Sequence, residues 1–172
     1  RALIKEIKTL EDKDSNFRAV VFTQYKNTHA LVVETIKKFL YIPGVYQITG
    51  ATSATARDFA IRVFQGPKLF PAVMVITLRA GSVGMTLTAA SDLFLMEPSI
   101  DPAAEEQAIG RIHRIGQESS TVRIPKFLSA SPSIESNLPD LHEAMREGRI
   151  QFEGGNVVPA EGVRILTRGL LP

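Results

Sequence analysis

The middle of the chain, residues 72–88, reads AVMVITLRAGSVGMTLT. Residues 72–76 are all apolar, which is typical of a strand that is buried on both faces of a sheet. The loop that follows holds small and hydroxyl-bearing residues, namely Gly81, Ser82, Gly84, Thr86 and Thr88. Because ligands of open α/β sheets bind outside the carboxyl ends of the strands, this loop is a candidate phosphate-binding site.

Apolar runs on both sides of this strand alternate with segments of helical period. The other predicted strands are residues 18–22, 45–48, 93–96 and 121–128, the last broken by Pro125 and placed near an edge. Predicted helices follow Asn27 or Thr28, Ser53 and Asp101, and another spans residues 133–148 with an interruption at Pro139. No structure is predicted after Gly148. This alternation predicts an α/β fold, a parallel sheet with helices on both faces.

The helical periods also predict which side chains face the sheet. In the first helix after residue 28 they are Leu31, Ile36, Phe39 and Leu40. In the helix after Ser53 they are Phe59, Ile61, Val63 and Phe64. These residues are therefore expected in the core.

The composition is that of an ordinary globular protein. The chain has 172 residues, a net charge of +2 and 44% hydrophobic residues, so any claim of nucleic-acid binding must rest on local sites. It contains no cysteine, and its three histidines show no ligand spacing, so we expect no metal site. No apolar run has the length needed to span a bilayer, so we expect no membrane association.

Two interpretations of the loop after residue 77 stay open. Its glycines could let the backbone approach phosphate oxygens, or they could serve a strand-to-helix turn that needs positive φ. Two glycines in such a loop are common, so the loop alone favours the turn.

A second informative stretch, residues 105–117, reads EEQAIGRIHRIGQ. Its period predicts a continuous helix, on which Gln107, Arg111 and Arg114 fall within an arc of about 60°. The neighbouring arc, expected to pack on the sheet, holds Ala108, Ile112 and Ile115. Arginine binds phosphate oxygens two at a time, so this face suits a nucleotide. The alternative is a surface helix whose arginines pair with Glu105, Glu106 or Glu118.

No phosphate cradle accompanies these arginines. The sequence has no G-x-x-x-x-G-K-[ST] segment, and no apolar strand ends in an acidic pair suited to magnesium. The chain therefore predicts half of a nucleotide site, with the other half outside it.

Several segments of the chain resemble the motifs of the Swi/Snf-like ATPases, a branch of the superfamily 2 helicases. They occur along the chain in the same order as those motifs. The matching segments are residues 107–117 (motif VI), 79–90 (motif V), 21–25 (motif IV), and 50–53 with Arg57 and Phe64 between motifs IV and V. The ending Arg-Ile-Gly-Gln, at Gln117, differs from the Arg-Ile-Gly-Arg usual in DEAD-box helicases. Residues 96–105 look most like the RING-containing post-replication-repair translocases of the family.

The resemblance implies the second of two RecA-like lobes in a nuclear, ATP-dependent, DNA-stimulated translocase or chromatin remodeller. It implies ATP with Mg²⁺ as cofactor, held mainly by a first RecA-like lobe of the same protein, and duplex DNA as partner, with nucleosomes as a further candidate. The implied nucleotide contacts are Gln107, Gly81, Gly84, Arg111 and Arg114, the two arginines being catalytic. The implied DNA contacts are Gln24, Thr52, Arg57, Thr77, Ser82 and Thr86.

The chain departs from the family at Ser82, where glycine is usual, and at Thr86, where asparagine is usual. A degenerate lobe that binds nucleic acid or protein without catalysis is therefore an alternative function, and an RNA-helicase lobe is a third. The predicted organisation is a lead-in helix or linker (1–17), the lobe (18–138), and a C-terminal helix with an irregular tail (139–172).

Overall fold

The computed structural model describes residues 1–81, 84–129, 133–151 and 158–170. The strands are β1 (Arg18–Thr23), β2 (Gly44–Ile48), β3 (Ala72–Thr77) and β4 (Asp92–Leu95). The helices are α1 (Ala2–Lys13), α2 (Lys26–Phe39), α3 (Ala54–Gln65), α4 (Leu78–Gly81), α5 (Pro102–Ile109), α6 (Ile134–Arg146) and α7 (Ala160–Leu166).

The strands form one parallel sheet in the order β2-β3-β1-β4, so β3 and β1 are central. Every residue of these two strands is buried, as expected for strands covered on both faces. The register aligns Thr23 with Thr77 and Phe22 with Leu95, so the carboxyl ends of β1, β3 and β4 lie at one edge. The predicted parallel sheet is confirmed.

Two apolar clusters cover the two faces of the sheet. Alternate residues of β1 point to opposite faces. Val20 and Phe22 belong to the cluster that includes residues of α3 and α5, whereas Ala19 and Val21 belong to the one that includes residues of α1 and α2. Helices therefore pack on both faces, as predicted.

The face that α2 and α3 turn to the sheet is only partly the predicted one. Leu31 and Phe39 of α2 and Phe59 of α3 are exposed, which corrects their assignment to the core. Ile36 of α2 and Phe64 of α3 are buried as predicted, and the other buried residues of these helices are His29, Val32 and Val33 in α2 and Ala60 in α3. Both helices carry apolar side chains on more than one side, so packing against the sheet selects the buried face.

The helix starts are partly as predicted. Ser53 and Asp101 cap α3 and α5, because their side-chain oxygens accept hydrogen bonds from backbone N–H groups of the first turn. In contrast, α2 begins at Lys26, ahead of Asn27 and Thr28, so neither of these residues caps it.

Residues 121–128 lie beside β4 but do not form the predicted strand. Isolated parallel bridges join Arg123 to Asp92 and Lys126 to Leu95. Pro125 lies between the bridges and has no N–H to donate, which explains why the pairing does not become continuous. The predicted edge position is correct and the regular strand is not.

The C-terminal part is more helical than predicted. Ser133 and Ser136 form a capping box at the start of α6, and the helix continues through Pro139 to Arg146 without the predicted interruption. Residues 158–170, predicted to be irregular, contain α7, whose Leu166 joins a small apolar cluster with α6. The predicted boundary after residue 138 falls inside α6, and the domain division stays a prediction.

Candidate functional site

The carboxyl edge of the sheet gathers most of the predicted DNA contacts. Gln24 follows β1, Thr77 ends β3, and Thr52 and Arg57 lie where the chain passes from β2 into α3. Parallel strands end at the same edge, so these residues lie on one side of the fold. Ser82 falls outside the described residues.

These side chains differ in accessibility. Thr77 is only 6% exposed, whereas Thr86 is exposed and Gln24 is half-buried. The Thr52 hydroxyl accepts a hydrogen bond from the backbone N–H of Thr49 at 2.9 Å, which holds the turn before α3. Nε of Arg57 is buried without a hydrogen-bond partner among the described residues, an arrangement that costs free energy until an acceptor is supplied.

Glu97 is a residue of this edge that the motif analysis did not single out. Its Oε2 accepts a hydrogen bond from the backbone N–H of Gln24 at 3.0 Å. The carboxylate therefore fixes the backbone at the point where β1 ends. Its place immediately after the apolar run 93–96, at the carboxyl end of a predicted strand, is the signal that could have identified it.

The two glycines of the loop have different environments. Gly81 is buried, and a Cβ there would lie 2.8 Å from Cε1 of Phe22, so close packing requires glycine. Gly84 is exposed and has no atom within 4 Å of the corresponding position. Neither glycine has a positive φ. The interpretation that the turn needs glycine for a positive φ is therefore wrong. Their contact with a nucleotide stays a prediction.

The helix predicted through residues 105–117 ends early. It stops at Ile109, Gly110 follows as its C-cap, and residues 110–116 form a run of turns and bends that ends at Gly116 with φ of 99°. We call residues 110–116 the arginine turn. The prediction that Gln107, Arg111 and Arg114 share one arc of a helix is therefore wrong, because only Gln107 lies on the helix. Gly110 and Gly116, the first and last residues of the turn, were the signal for it in the sequence.

The arginine turn is anchored in the core at one residue and open at others. Ile112 is fully buried, Arg111 is half-buried and Arg114 is exposed. Ile115, predicted to pack on the sheet, is 100% exposed, because the turn carries it away from the helix axis. The turn thus exposes the Arg114 guanidinium to solvent, while the buried Ile112 fixes its backbone.

The alternative interpretation, in which surface glutamates pair with the arginines, is not supported for Glu105. This carboxylate is buried, accepts a hydrogen bond from the backbone N–H of Ser99 at 2.8 Å, and forms an ion pair with Lys126. None of the ion pairs between described side chains involves Arg114.

The side chains of the site determine which ligands it could bind. Gln107, exposed on α5, and the two arginines offer donors to phosphate oxygens. Within the described segments, no three His, Cys, Asp or Glu side chains come together as a candidate metal site. In the same part of the chain, no helix is long and apolar enough to cross a membrane.

Comparison with known proteins shows the family and the fold of the chain. Residues 1–116 match the family described as helicase conserved C-terminal domain. The chain is similar to helicase-like transcription factor of Homo sapiens (32% identity over 147 residues) and to DNA repair protein RAD5 of Saccharomyces cerevisiae (32% over 153 residues). These alignments cover 85% and 84% of this chain, but only 14% and 12% of those proteins. The C-terminal part of the Fun30 ATPase domain has a similar structure, with a TM-score of 0.73 at 25% identity, over 81% of this chain and 43% of that one.

The family match spans the whole sheet and reaches the end of the arginine turn. The structural likeness to Fun30 confirms the RecA-like fold, and the relatives confirm the resemblance drawn from the motifs. The chain belongs to the helicase conserved C-terminal domain family, as a RecA-like lobe of the Swi/Snf-like branch.

Proposed function

We propose that this chain is the second lobe of an ATP-dependent, DNA-stimulated translocase. The observation that carries the proposal is the arginine turn, in which Arg114 is exposed and forms no ion pair among the described side chains, while Ile112 anchors the turn in the core. The chain has no phosphate cradle of its own. An anchored, solvent-facing arginine in such a chain suits a phosphate that another lobe holds.

The proposed chemistry is phosphoryl transfer from ATP. Mg²⁺ and the cradle of a first lobe in the same polypeptide would neutralise and hold the phosphates. Arg114 and Arg111 would offset the negative charge that develops on the transferred group, and Gln107 would contact the nucleotide beside them.

The proposed DNA contacts are to the backbone of a duplex. Hydroxyl, amide and guanidinium groups bind phosphate oxygens without reading sequence, which suits a protein that moves along DNA. Arg57, Thr52 and Gln24 supply such groups at the carboxyl edge, and Thr86 supplies an exposed hydroxyl in the segment between α4 and β4. Thr77, being almost fully covered, would contribute through the strand end rather than its side chain. The relatives' names include a DNA repair protein, which supports a nuclear role on duplex DNA, with nucleosomes as a further candidate.

The test is ATP turnover by the full-length polypeptide and by residues 1–172 alone. We expect the full-length protein to hydrolyse ATP faster with duplex DNA than without it, and residues 1–172 to release no phosphate, because the cradle is missing. Phosphate release at saturating ATP, with duplex DNA, duplex RNA or neither, measures both.

Each alternative gives a different result in this experiment. Stimulation by RNA in place of DNA would favour an RNA-helicase lobe. DNA binding by a full-length protein that never hydrolyses ATP would favour a non-catalytic binding module. Hydrolysis by residues 1–172 alone would contradict the division of the site between two lobes.

A further inference from the structure

Two glutamines hold residues 86–90, which we call the coupling segment, from different sides. The first is Gln65 at the end of α3. Its Nε2 donates to the Thr88 hydroxyl at 3.2 Å, and its Oε1 accepts from the backbone N–H of Ala89 at 2.8 Å. Gln65 therefore fastens the coupling segment to α3.

The second is Gln117, directly after the arginine turn. Its Nε2 donates to the backbone carbonyls of Ala90, at 2.8 Å, and Ile112, at 3.2 Å. Its Oε1 accepts from the backbone N–H of Ser119 at 2.9 Å. One amide thus joins the coupling segment, the arginine turn and the chain that follows.

A backbone bond reinforces this junction. The N–H of Leu87 donates to the carbonyl of Arg111 at 2.9 Å. Leu87 and Ile112 are both fully buried and belong to the same apolar cluster. The coupling segment and the arginine turn therefore pack as one unit, with Thr86 exposed in one and Arg114 exposed in the other.

We infer that Gln117 is a positioning residue that couples DNA contact at Thr86 to the placement of Arg111 and Arg114. The inference rests on the proposed function. A rigid junction transmits a displacement at one exposed side chain to the other, whereas a loosened junction absorbs it.

The chemistry of the side chain explains why glutamine is needed. The bonds of Gln117 require a donor toward two carbonyls and an acceptor toward an N–H group, and an amide supplies both. Arginine only donates and an ionised glutamate only accepts, so neither makes the full set.

The test uses the full-length polypeptide and measures the ratio of DNA-stimulated to DNA-independent ATP turnover. We expect Gln117→Met, which keeps the length and removes the amide, to lower this ratio by about tenfold. DNA-independent turnover should fall much less than DNA-stimulated turnover, and the Kd for duplex DNA should stay at its wild-type value, which a merely structural role would not predict. Gln117→Glu, which keeps the acceptor alone, should lower the ratio in the same direction.

Gln65→Met is the matched control. It removes two hydrogen bonds to the coupling segment but none to the arginine turn, so the ratio should stay at the wild-type value. An equal fall in Gln65→Met would show general loosening and overturn the specific role of Gln117. A wild-type ratio in both Gln117 variants would overturn it as well.

Hydrogen exchange by mass spectrometry separates this inference from the proposed function. In the full-length protein, Gln117→Met should speed exchange of the Leu87 amide and of the arginine turn, and unchanged exchange would overturn the junction itself. A wild-type protein whose turnover ignores DNA would overturn the proposed function, whatever the exchange shows.

Discussion

Replacing Arg114 with alanine in the full-length polypeptide is expected to lower DNA-stimulated ATP turnover by about 10³- to 10⁵-fold. Arg114 is exposed and outside every ion pair between described side chains, so its loss should change the free energy of unfolding by no more than about 0.5 kcal/mol. The effect should therefore fall on the transition state, where an arginine offsets developing phosphate charge. Phosphate release at saturating ATP and duplex DNA measures it.

Arg146→Ala is the matched control for this prediction. Arg146 ends α6, is exposed and, like Arg114, takes part in no ion pair between described side chains. Its replacement removes the same charge and should leave turnover unchanged. In Arg114→Ala, ATP binding should weaken far less than turnover, because the lost contact strengthens in the transition state. Wild-type turnover in Arg114→Ala would refute the catalytic role.

Replacing Arg18 with methionine is expected to lower the free energy of unfolding by about 3–5 kcal/mol. Arg18 starts β1 and is only 1% exposed. Its guanidinium donates to the carbonyls of Phe64 at 3.2 Å, Pro67 at 3.1 Å and Phe70, and lies 5.9 and 5.6 Å from the ring centroids of Phe64 and Phe70. Methionine fills part of the space but removes all three of these hydrogen bonds, although the Pro67 carbonyl still accepts from the backbone N–H of Leu69 at 2.9 Å. Urea unfolding of residues 1–172 measures the change.

Two further variants separate hydrogen bonding from charge at this position. Burial lowers the pKa of the Arg18 guanidinium, although arginine remains charged at neutral pH. Arg18→Lys keeps the charge but loses the planar fork, so its stability should lie between those of wild type and Arg18→Met. Arg62→Met, at an exposed position of α3, should change stability by no more than about 0.5 kcal/mol. Equal midpoints for wild type and Arg18→Met would show that the carbonyls do not depend on this donor.

The sheet could be predicted because its strands carry a strong local signal. β3 is apolar along nearly its whole length, and such a run between turn residues has few alternatives to a buried parallel strand. In contrast, the buried faces of α2 and α3 could be predicted only in part. Leu31 and Phe59 are as apolar as the residues that are buried, so only the approach of the helix to the sheet decides between them.

The location of the site could be predicted, but its shape could not. Residues that follow parallel strands must lie at the carboxyl edge, so the gathering of Gln24, Thr52 and Arg57 follows from the order of the elements. The arginine turn could not be predicted because the helical period of the sequence continues past Gly110, where the helix itself ends. The bond from Gln24 to Glu97 joins residues 73 positions apart, and local patterns carry no information on such contacts.

Photolabelling of the wild-type full-length protein tests the proposed completion of an ATP site most directly. An ATP analogue with an azidoanilide on its γ-phosphate would be bound with Mg²⁺ and duplex DNA, irradiated, and its adducts mapped by mass spectrometry. If the arginine turn closes over a nucleotide held by a first lobe, adducts should appear both in that lobe and at residues 110–116. Labelling of the first lobe alone, under conditions in which the protein hydrolyses ATP, would contradict the assignment of this chain as the other half of the active site.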